Sequence, residues 1–162
     1  MPERMVINTG PLIALARMEA LEIAGQLPYT FICPQEVEAE LEAGVAAGHP
    51  KIKPPWLYVL PLQDVISPMV LPVLDAGEAA VIQLALENQI ALVCLDEWKG
   101  RRMALAAGLR VTGALGLMGK AKIEGIISAI APYVERAVRH GIRYHPELVQ
   151  KVLDELGEGN RP

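Results

Sequence analysis

Four oxygen-bearing side chains stand where a strand ends or a helix is under way: Asn8, Glu40, Glu78 and Asp96. Asn8 follows the apolar run Met5-Val6-Ile7, and Asp96 follows Ala91-Leu92-Val93-Cys94-Leu95. Glu78 opens a long apolar helical stretch, and Glu40 falls in the helix expected after a second strand. Oxygen donors gathered from separate segments suit a hard divalent cation, Mg²⁺ or Mn²⁺, which takes carboxylate, carbonyl and water ligands. Each residue also has a plainer reading. Asn8 can cap or turn the chain, Asp75-Ala76-Gly77-Glu78 fits a capping box, and Asp96 can cap the next helix. Glu36, Glu38, Glu40 and Glu42 fit a solvated helix face. Glu40 differs because it follows Val37 by three positions and adjoins Leu41, which places it beside the buried stripe.

The elements that would position these groups alternate between strand and helix. Met5 to Ile7 reads as a strand, and Asn8-Thr9-Gly10-Pro11 turns into a helix whose apolar pattern continues to Gly25. Tyr29 to Cys33 is a second strand, followed by a helix from Pro34 to Gly44. His49 to Pro55, with two lysines and three prolines, is a loop, and Trp56 to Leu60 a third strand. Residues 77–88 are apolar around most of their circumference, the mark of a helix buried against a sheet. Ala91 to Leu95 reads as a strand covered on both faces. Then come a helix over Arg101 to Ala107 stopped at Gly108, a strand over Leu109 to Thr112 and a helix over Leu115 to Ile127. The remainder is helical, broken at Gly141 and Pro146. Such alternation implies an α/β fold: a central parallel sheet of about five strands flanked by helices in three layers, plus a C-terminal helical tail. In that fold, sites form where the carboxyl ends of strands meet the amino ends of helices, at the point where strand order reverses.

With 162 residues and 52% apolar content, the chain suits one well-packed domain. We expect a main domain over 1–130 and a helical extension over 131–162, packed on that domain or on a dimer partner. In the extension Val134, Ala137 and Val138 form one apolar stripe, and Leu148, Val149, Val152, Leu153 and Leu156 another. No apolar run approaches a membrane span and no cleavable signal opens the sequence, so a cytoplasmic protein is expected. Cys33 and Cys94 have neither zinc spacing nor disulfide density and are read as reduced core residues. The net charge of −4 argues against a protein that coats nucleic acid, but the sign is uneven. Glu19 to Glu97 holds twelve acidic residues against Lys51 and Lys53; Lys99 to Arg143 holds nine basic residues against Glu124 and Glu135. These are either solvated faces or an acidic patch for cations beside a basic surface for a polyanion.

Other motifs are weaker. The stretch Gly113 to Ala121 echoes a phosphate-binding loop but misplaces its first glycine and lacks the hydroxyl residue, and no GxGxxG follows the first strand. His49, His140 and His145 lack ligand spacing. Trp56 and Trp98 read as packing residues; for Trp98, beside Asp96 and Lys99, stacking on a nucleobase is the alternative.

Val6-Ile7-Asn8-Thr9-Gly10-Pro11-Leu12-Ile13, Pro34-Gln35-Glu36-Val37-Glu38-Ala39-Glu40-Leu41, Gly77-Glu78-Ala79-Ala80-Val81-Ile82 and Leu95-Asp96-Glu97-Trp98-Lys99-Gly100-Arg101-Arg102 occur in the order and spacing of PIN-domain proteins. With Val111-Thr112-Gly113-Ala114-Leu115-Gly116 following, the chain resembles that family from about Val6 to Ile127, and more closely a PIN-like branch often encoded beside antitoxin-like genes. The resemblance implies a metal-dependent ribonuclease in which Asn8, Glu40, Glu78 and Asp96 bind Mg²⁺ or Mn²⁺ and carry catalysis. It further implies that Thr9, Lys99, Arg101 and Arg102 meet the RNA. It suggests a toxin with an antitoxin partner protein; a homodimer is expected instead from the apolar stripes of the tail. The first acidic position departs from the family, where Asp is common; Asn8 offers an oxygen but no charge. Glu97 and Glu36 are the carboxylates nearest in sequence to make up the difference. The alternative is a non-catalytic PIN-like module that binds RNA or protein, its activity weakened at Asn8.

Overall fold

The computed structural model describes residues 2–69 and 73–159. The chain divides into two compact units, Met1–Ile13 with Pro28–Gly113, and Ala14–Leu27 with Ala114–Pro162.

The first unit is built on five parallel strands: β1 (Glu3–Ile7), β2 (Tyr29–Pro34), β3 (Leu57–Leu60), β4 (Leu92–Cys94) and β5 (Arg110–Thr112), in the order β3-β2-β1-β4-β5. Every pairing is parallel, with Met5 opposite both Phe31 and Leu92, and Ile7 opposite Cys94. The expected parallel α/β sheet is therefore present. Burial follows position in the sheet. Met5, Val6, Ile7 on β1 and Val93, Cys94 on β4 are fully buried, as central parallel strands require, whereas the edge strands β3 and β5 hold no fully buried residue.

Three helices complete this unit. Pro34, in extended conformation, leads into α3 (Gln35–Ala46). Helix α4 (Ala76–Glu87) is buried along nearly its whole length, from Gly77 to Ile82 and at Leu84 and Ala85, and packs on β1, β2 and β4. Helix α5 (Trp98–Ala106) begins three residues earlier than expected, because Glu97 adopts an extended N-cap conformation and its carbonyl accepts the Arg101 N–H at 3.0 Å. Gly100 thus lies inside the helix rather than before it.

The second unit is helical. Helix α1 (Thr9–Arg17) starts in the first unit and ends here, followed by α2 (Leu21–Gly25), α6 (Ala114–Ile123), α7 (Ala131–Arg139) and α8 (Pro146–Glu155). The single helix expected up to Gly25 is two. Glu19 takes a left-handed conformation (φ 59°), and the Ala20 N–H reaches back to the Leu15 carbonyl at 2.9 Å, closing a Schellman turn. The same device ends α6 four residues short of expectation: Gly125 is left-handed and Ile126 donates to Ala121 at 2.9 Å. The breaks at Gly141 and Pro146 fall as expected, with Gly141 left-handed and Pro146 opening α8.

Burial in this unit is uneven. Ile130, Val134 and Ala137 are buried, but Val138 is exposed and no residue of α8 is fully buried. A half-buried ion pair ties the end of the described chain down. Glu158 meets Lys122 Nζ at 2.8 Å and accepts the N–H groups of Ile130 at 2.9 Å and Ala131 at 3.0 Å, thereby capping α7. Lys122 also donates to the Leu156 carbonyl at 2.6 Å.

Candidate metal centre

Strand β1 has β2 on one side and β4 on the other, so the chain runs β1, β2, β3 in one direction and then returns to the far side of β1. The reversal falls between β1 and β4, where open α/β sheets bind their ligands. Asn8 sits at this point. Its N–H donates to the Cys94 carbonyl at 3.1 Å, continuing the pairing by one step, and its carbonyl accepts the Leu12 N–H as α1 begins. Asp96 leaves the adjacent β4 two residues after Cys94.

The carboxylates reach this edge by short, specific supports. Glu40, exposed on α3, accepts the Thr9 hydroxyl at 2.7 Å, which ties α3 to the residue after Asn8. Thr9, expected to meet substrate, here orients a carboxylate. Glu78 is buried at 6% exposure and completes a capping box with Asp75: its own N–H donates to Asp75 Oδ1 at 2.8 Å, and its Oε1 faces the Asp75 N–H at 3.5 Å. The capping reading and the site reading of Glu78 are therefore compatible. Asp96 is exposed, and its Oδ1 shares the space beside Gly113 with Arg101 Nη1.

Three glycines make room for the three carboxylates. A Cβ on Gly77 would overlap the Glu40 carboxylate, one on Gly100 the Glu78 carboxylate, and one on Gly113 Asp96 Oδ1. These contacts form a chain: Glu40 lies against the residue before Glu78, Glu78 against the first turn of α5 just past Asp96, and Asp96 against the end of β5. Sequence reasoning quoted all three glycines inside its motifs without assigning them this role. Each makes room for a carboxylate far away in sequence, and no acidic residue lies near Gly113, so the sequence carried no signal for these pairings.

Two oxygens test whether a cation suits this edge. Asn8 Oδ1 and Glu78 Oε2 are both buried without a hydrogen-bond partner. An unsatisfied buried acceptor costs about 1–3 kcal/mol, which a purely structural residue does not sustain without reason. Both are hard ligands of the kind Mg²⁺ and Mn²⁺ prefer. Burial pushes the Glu78 carboxyl up to about 7, and the Asp75 hydrogen bond, the Asp75 charge and the Glu97 charge push the same way against the Asp75 backbone N–H. A cation would reverse that balance. The donors do not form a closed cage: among the described residues, no group of three or more His, Cys, Asp or Glu side chains is gathered tightly enough to hold an ion. The donors this edge offers are an amide oxygen and carboxylates, the chemistry a hard divalent cation takes.

The remaining mapped residues divide. Lys99 and Arg102 are exposed, whereas Arg101 turns inward and donates to the Leu95 carbonyl at 2.8 Å. Arg102 lies over the Trp98 ring at 4.5 Å. Of the two spare carboxylates, Glu97 is near enough to raise Glu78, and Glu36 Oε1 is buried without a partner in the first turn of α3. A cavity of about 630 Å³ beside α3 and β3, lined by Cys33, Leu41, Ile52 and Leu57 among others, includes none of the mapped residues.

A family model described as a PIN domain matches residues 4–158. The chain belongs to the PIN-domain family. The match extends past Ile127, where the motif resemblance ends, so the PIN-domain model takes in α7 and α8 as well. A comparison with curated proteins found no match. PIN-domain membership implies metal-dependent nuclease chemistry in general, and divalent cations are what PIN domains typically use. Among the described residues, no helix is long and apolar enough to cross a membrane.

Proposed function

We propose that this PIN-domain protein is a Mg²⁺- or Mn²⁺-dependent endoribonuclease, with Asn8, Glu40, Glu78 and Asp96 as its metal ligands. The observation that carries the reading is the pair of buried, unpartnered oxygens, Asn8 Oδ1 and Glu78 Oε2, on residues that the family motifs select. When bound, the ion would act as a Lewis acid on the phosphodiester and lower the pKa of its water. The chain's own contribution is positioning. Thr9 holds Glu40, the Asp75 capping box holds one oxygen of Glu78 and leaves the other toward the site, and Gly113 admits Asp96 beside Arg101. Glu78, its carboxyl pushed up to about 7, would hold the ion in its charged form, which the cation would favour. Arg101 next to Asp96 offsets charge developing on the phosphate, while Lys99 and Arg102 meet the RNA backbone.

The proposal extends to a cytoplasmic toxin of a toxin-antitoxin pair, with an antitoxin protein as partner, and to residues 1–130 as the nuclease domain with 131–162 as its extension. A homodimer is part of it. Val138 at 54% and Leu148 at 48% exposure leave both tail stripes partly uncovered, which a two-fold partner would bury. Light scattering on wild type and Leu148→Glu tests this, a monomer in both being the contrary result.

A second reading, a binding module that no longer cleaves, is favoured by the neutral Asn8 and by the lack of a tight acidic cluster among the described residues. Cleavage of a mixed RNA pool with Mn²⁺ by wild type, Asn8→Asp and Asp96→Asn separates the two. The enzyme reading expects cutting by wild type that Asp96→Asn abolishes. Cutting by Asn8→Asp alone identifies the module, and equal cutting by all three identifies a contaminant.

A further inference from the structure

We propose that Trp98, with Arg102 over its ring, is a stacking platform for one unpaired base of the RNA; this rests on the ribonuclease reading above. Trp98 is the first residue of α5, two positions beyond Asp96, and 65% of it is exposed. Indole is a large apolar surface that folded chains bury when they can. The contrast within the molecule is direct: Trp56 packs on Phe31 with ring centroids 5.0 Å apart. Trp98 instead carries the guanidinium of Arg102, one turn along the helix, at 4.5 Å from its ring. That contact fixes the indole in place and sets a cation beside it, so less side-chain entropy is lost when a base arrives.

The surroundings favour nucleic acid over protein. Arg102 over the ring and the chain neighbours Glu97 and Lys99 are all exposed and charged, and the next exposed large apolar residue on the helix, Leu105, lies two turns on with Arg102 between. A protein interface is centred on a contiguous apolar core, which is lacking here. A base needs only a π-face and nearby cations for its phosphates, and Trp98 with Lys99 and Arg102 provides both. In A-form duplex the base faces are already stacked inside the helix, so the platform selects unpaired segments.

The chain has two tryptophans, so Trp56→Phe leaves Trp98 as the only indole. In EDTA, where metal-dependent cutting is suppressed, this variant is titrated with a single-stranded oligoribonucleotide and with a perfect duplex of equal length. The expected result is strong quenching of Trp98 fluorescence by the single strand, at least ten-fold tighter binding than the duplex, about ten-fold or greater loss in Trp98→Ala on the wild-type background, and substantial recovery in Trp98→Phe. In Mn²⁺, Trp98→Ala should raise KM more than it lowers kcat. The proposal is overturned if the single strand binds without quenching, if Trp98→Ala binds as tightly as wild type, or if duplex binds equally well. It is also overturned if Trp98→Ala dissociates a dimer while RNA affinity is unchanged, which would make the indole a protein contact. Metal-dependent cutting by wild type, scored in parallel, judges the ribonuclease reading separately: cutting that persists while any of these negative results holds removes the platform alone.

Discussion

Glu78 and Glu158 are two largely buried carboxylates at the starts of helices, and the protein treats them in opposite ways. Glu158 is surrounded by donors: Lys122 and the N–H groups of Ile130 and Ala131. Burial raises its carboxyl, but the Lys122 hydrogen bond, the two backbone donors and the Lys122 charge outweigh that and hold it below its usual range. Glu78 has one long backbone contact at 3.5 Å, acidic neighbours and an oxygen with no partner, and its carboxyl rises to about 7. A carboxylate that serves the fold is satisfied by the chain. Glu78 is left short of donors, the condition in which a carboxylate is open to a partner from outside.

The comparison can be broken most forcefully at Glu158. Glu158→Ala removes the α7 cap and leaves Lys122 without its counter-charge, and we expect a loss of about 3 kcal/mol at pH 7 in urea unfolding. Because the folded carboxyl is held below the unfolded value near 4.5, this contribution is complete above pH 4.5 and fades as pH falls through the folded pKa. A loss that did not shrink in acid would show that packing, not the ion pair, is responsible.

Glu78→Gln should act in the other direction. With a folded pKa near 7 and an unfolded value near 4.5, the charged form is penalised on folding, so stability falls as pH rises from about 4.5 to 7 and stays lower above. Gln keeps the capping geometry without the charge. We expect stabilisation of at most about 3 kcal/mol at pH 8 in metal-free buffer, vanishing near pH 4.5, together with loss of Mn²⁺ binding. Destabilisation at pH 8 would remove the contrast with Glu158.

Two glycines sharpen it further. Gly119→Ala in α6 meets only Leu156 Cδ1 at 3.6 Å, so the helix-propensity gain of about 1 kcal/mol should appear undiminished. Gly100→Ala in α5 has the same gain, but its methyl displaces the Glu78 carboxylate, so net stability should change little while Mn²⁺ affinity drops about ten-fold. Calorimetric titration reads this; unaltered affinity would mean that Gly100 is not reserved for Glu78. The smallest effect is expected at Asn8. Asn8→Asp supplies a charge at the buried end of β1 and should tighten Mn²⁺ several-fold while lowering metal-free stability by about 1–2 kcal/mol, since it adds repulsion where no donor waits.

The sheet was legible because its signals are local and redundant: apolar runs, prolines at helix starts, and glycines at helix ends. The misplaced boundaries have different causes: α6 stops at Gly125, a glycine in plain view, and α5 starts early at an extended Glu97. Glu19 occupies a left-handed turn that composition associates with glycine, so the break between α1 and α2 carries no sequence mark. The four candidate residues could be picked out by motif and by their place at strand and helix ends or within a helix. Their supports could not. That Thr9 hydrogen-bonds Glu40, that Arg101 turns in to the Leu95 carbonyl, and that Gly77, Gly100 and Gly113 clear space for carboxylates all depend on contacts between distant segments. Single-sequence periodicity has no access to such contacts. Glu158 was likewise passed over, since a glutamate near a chain end reads as solvated until α7 is seen to begin beside it.

The two thiols give the sheet an internal clock. Cys33 on β2 and Cys94 on β4 are both free and buried, as the sequence suggested. Burial, and then the charge of Glu38, pushes Cys33 up to about 12; burial and the Asp96 charge push Cys94 well above the usual thiol range despite Arg101. Only the thiolate is alkylated at a useful rate, so at neutral pH neither reacts until its strand opens to water. The second unit contains no cysteine, and its motions stay silent. Mass-resolved labelling of the two positions therefore times the separate opening of β2 and β4, one on each side of the strand that leads into Asn8.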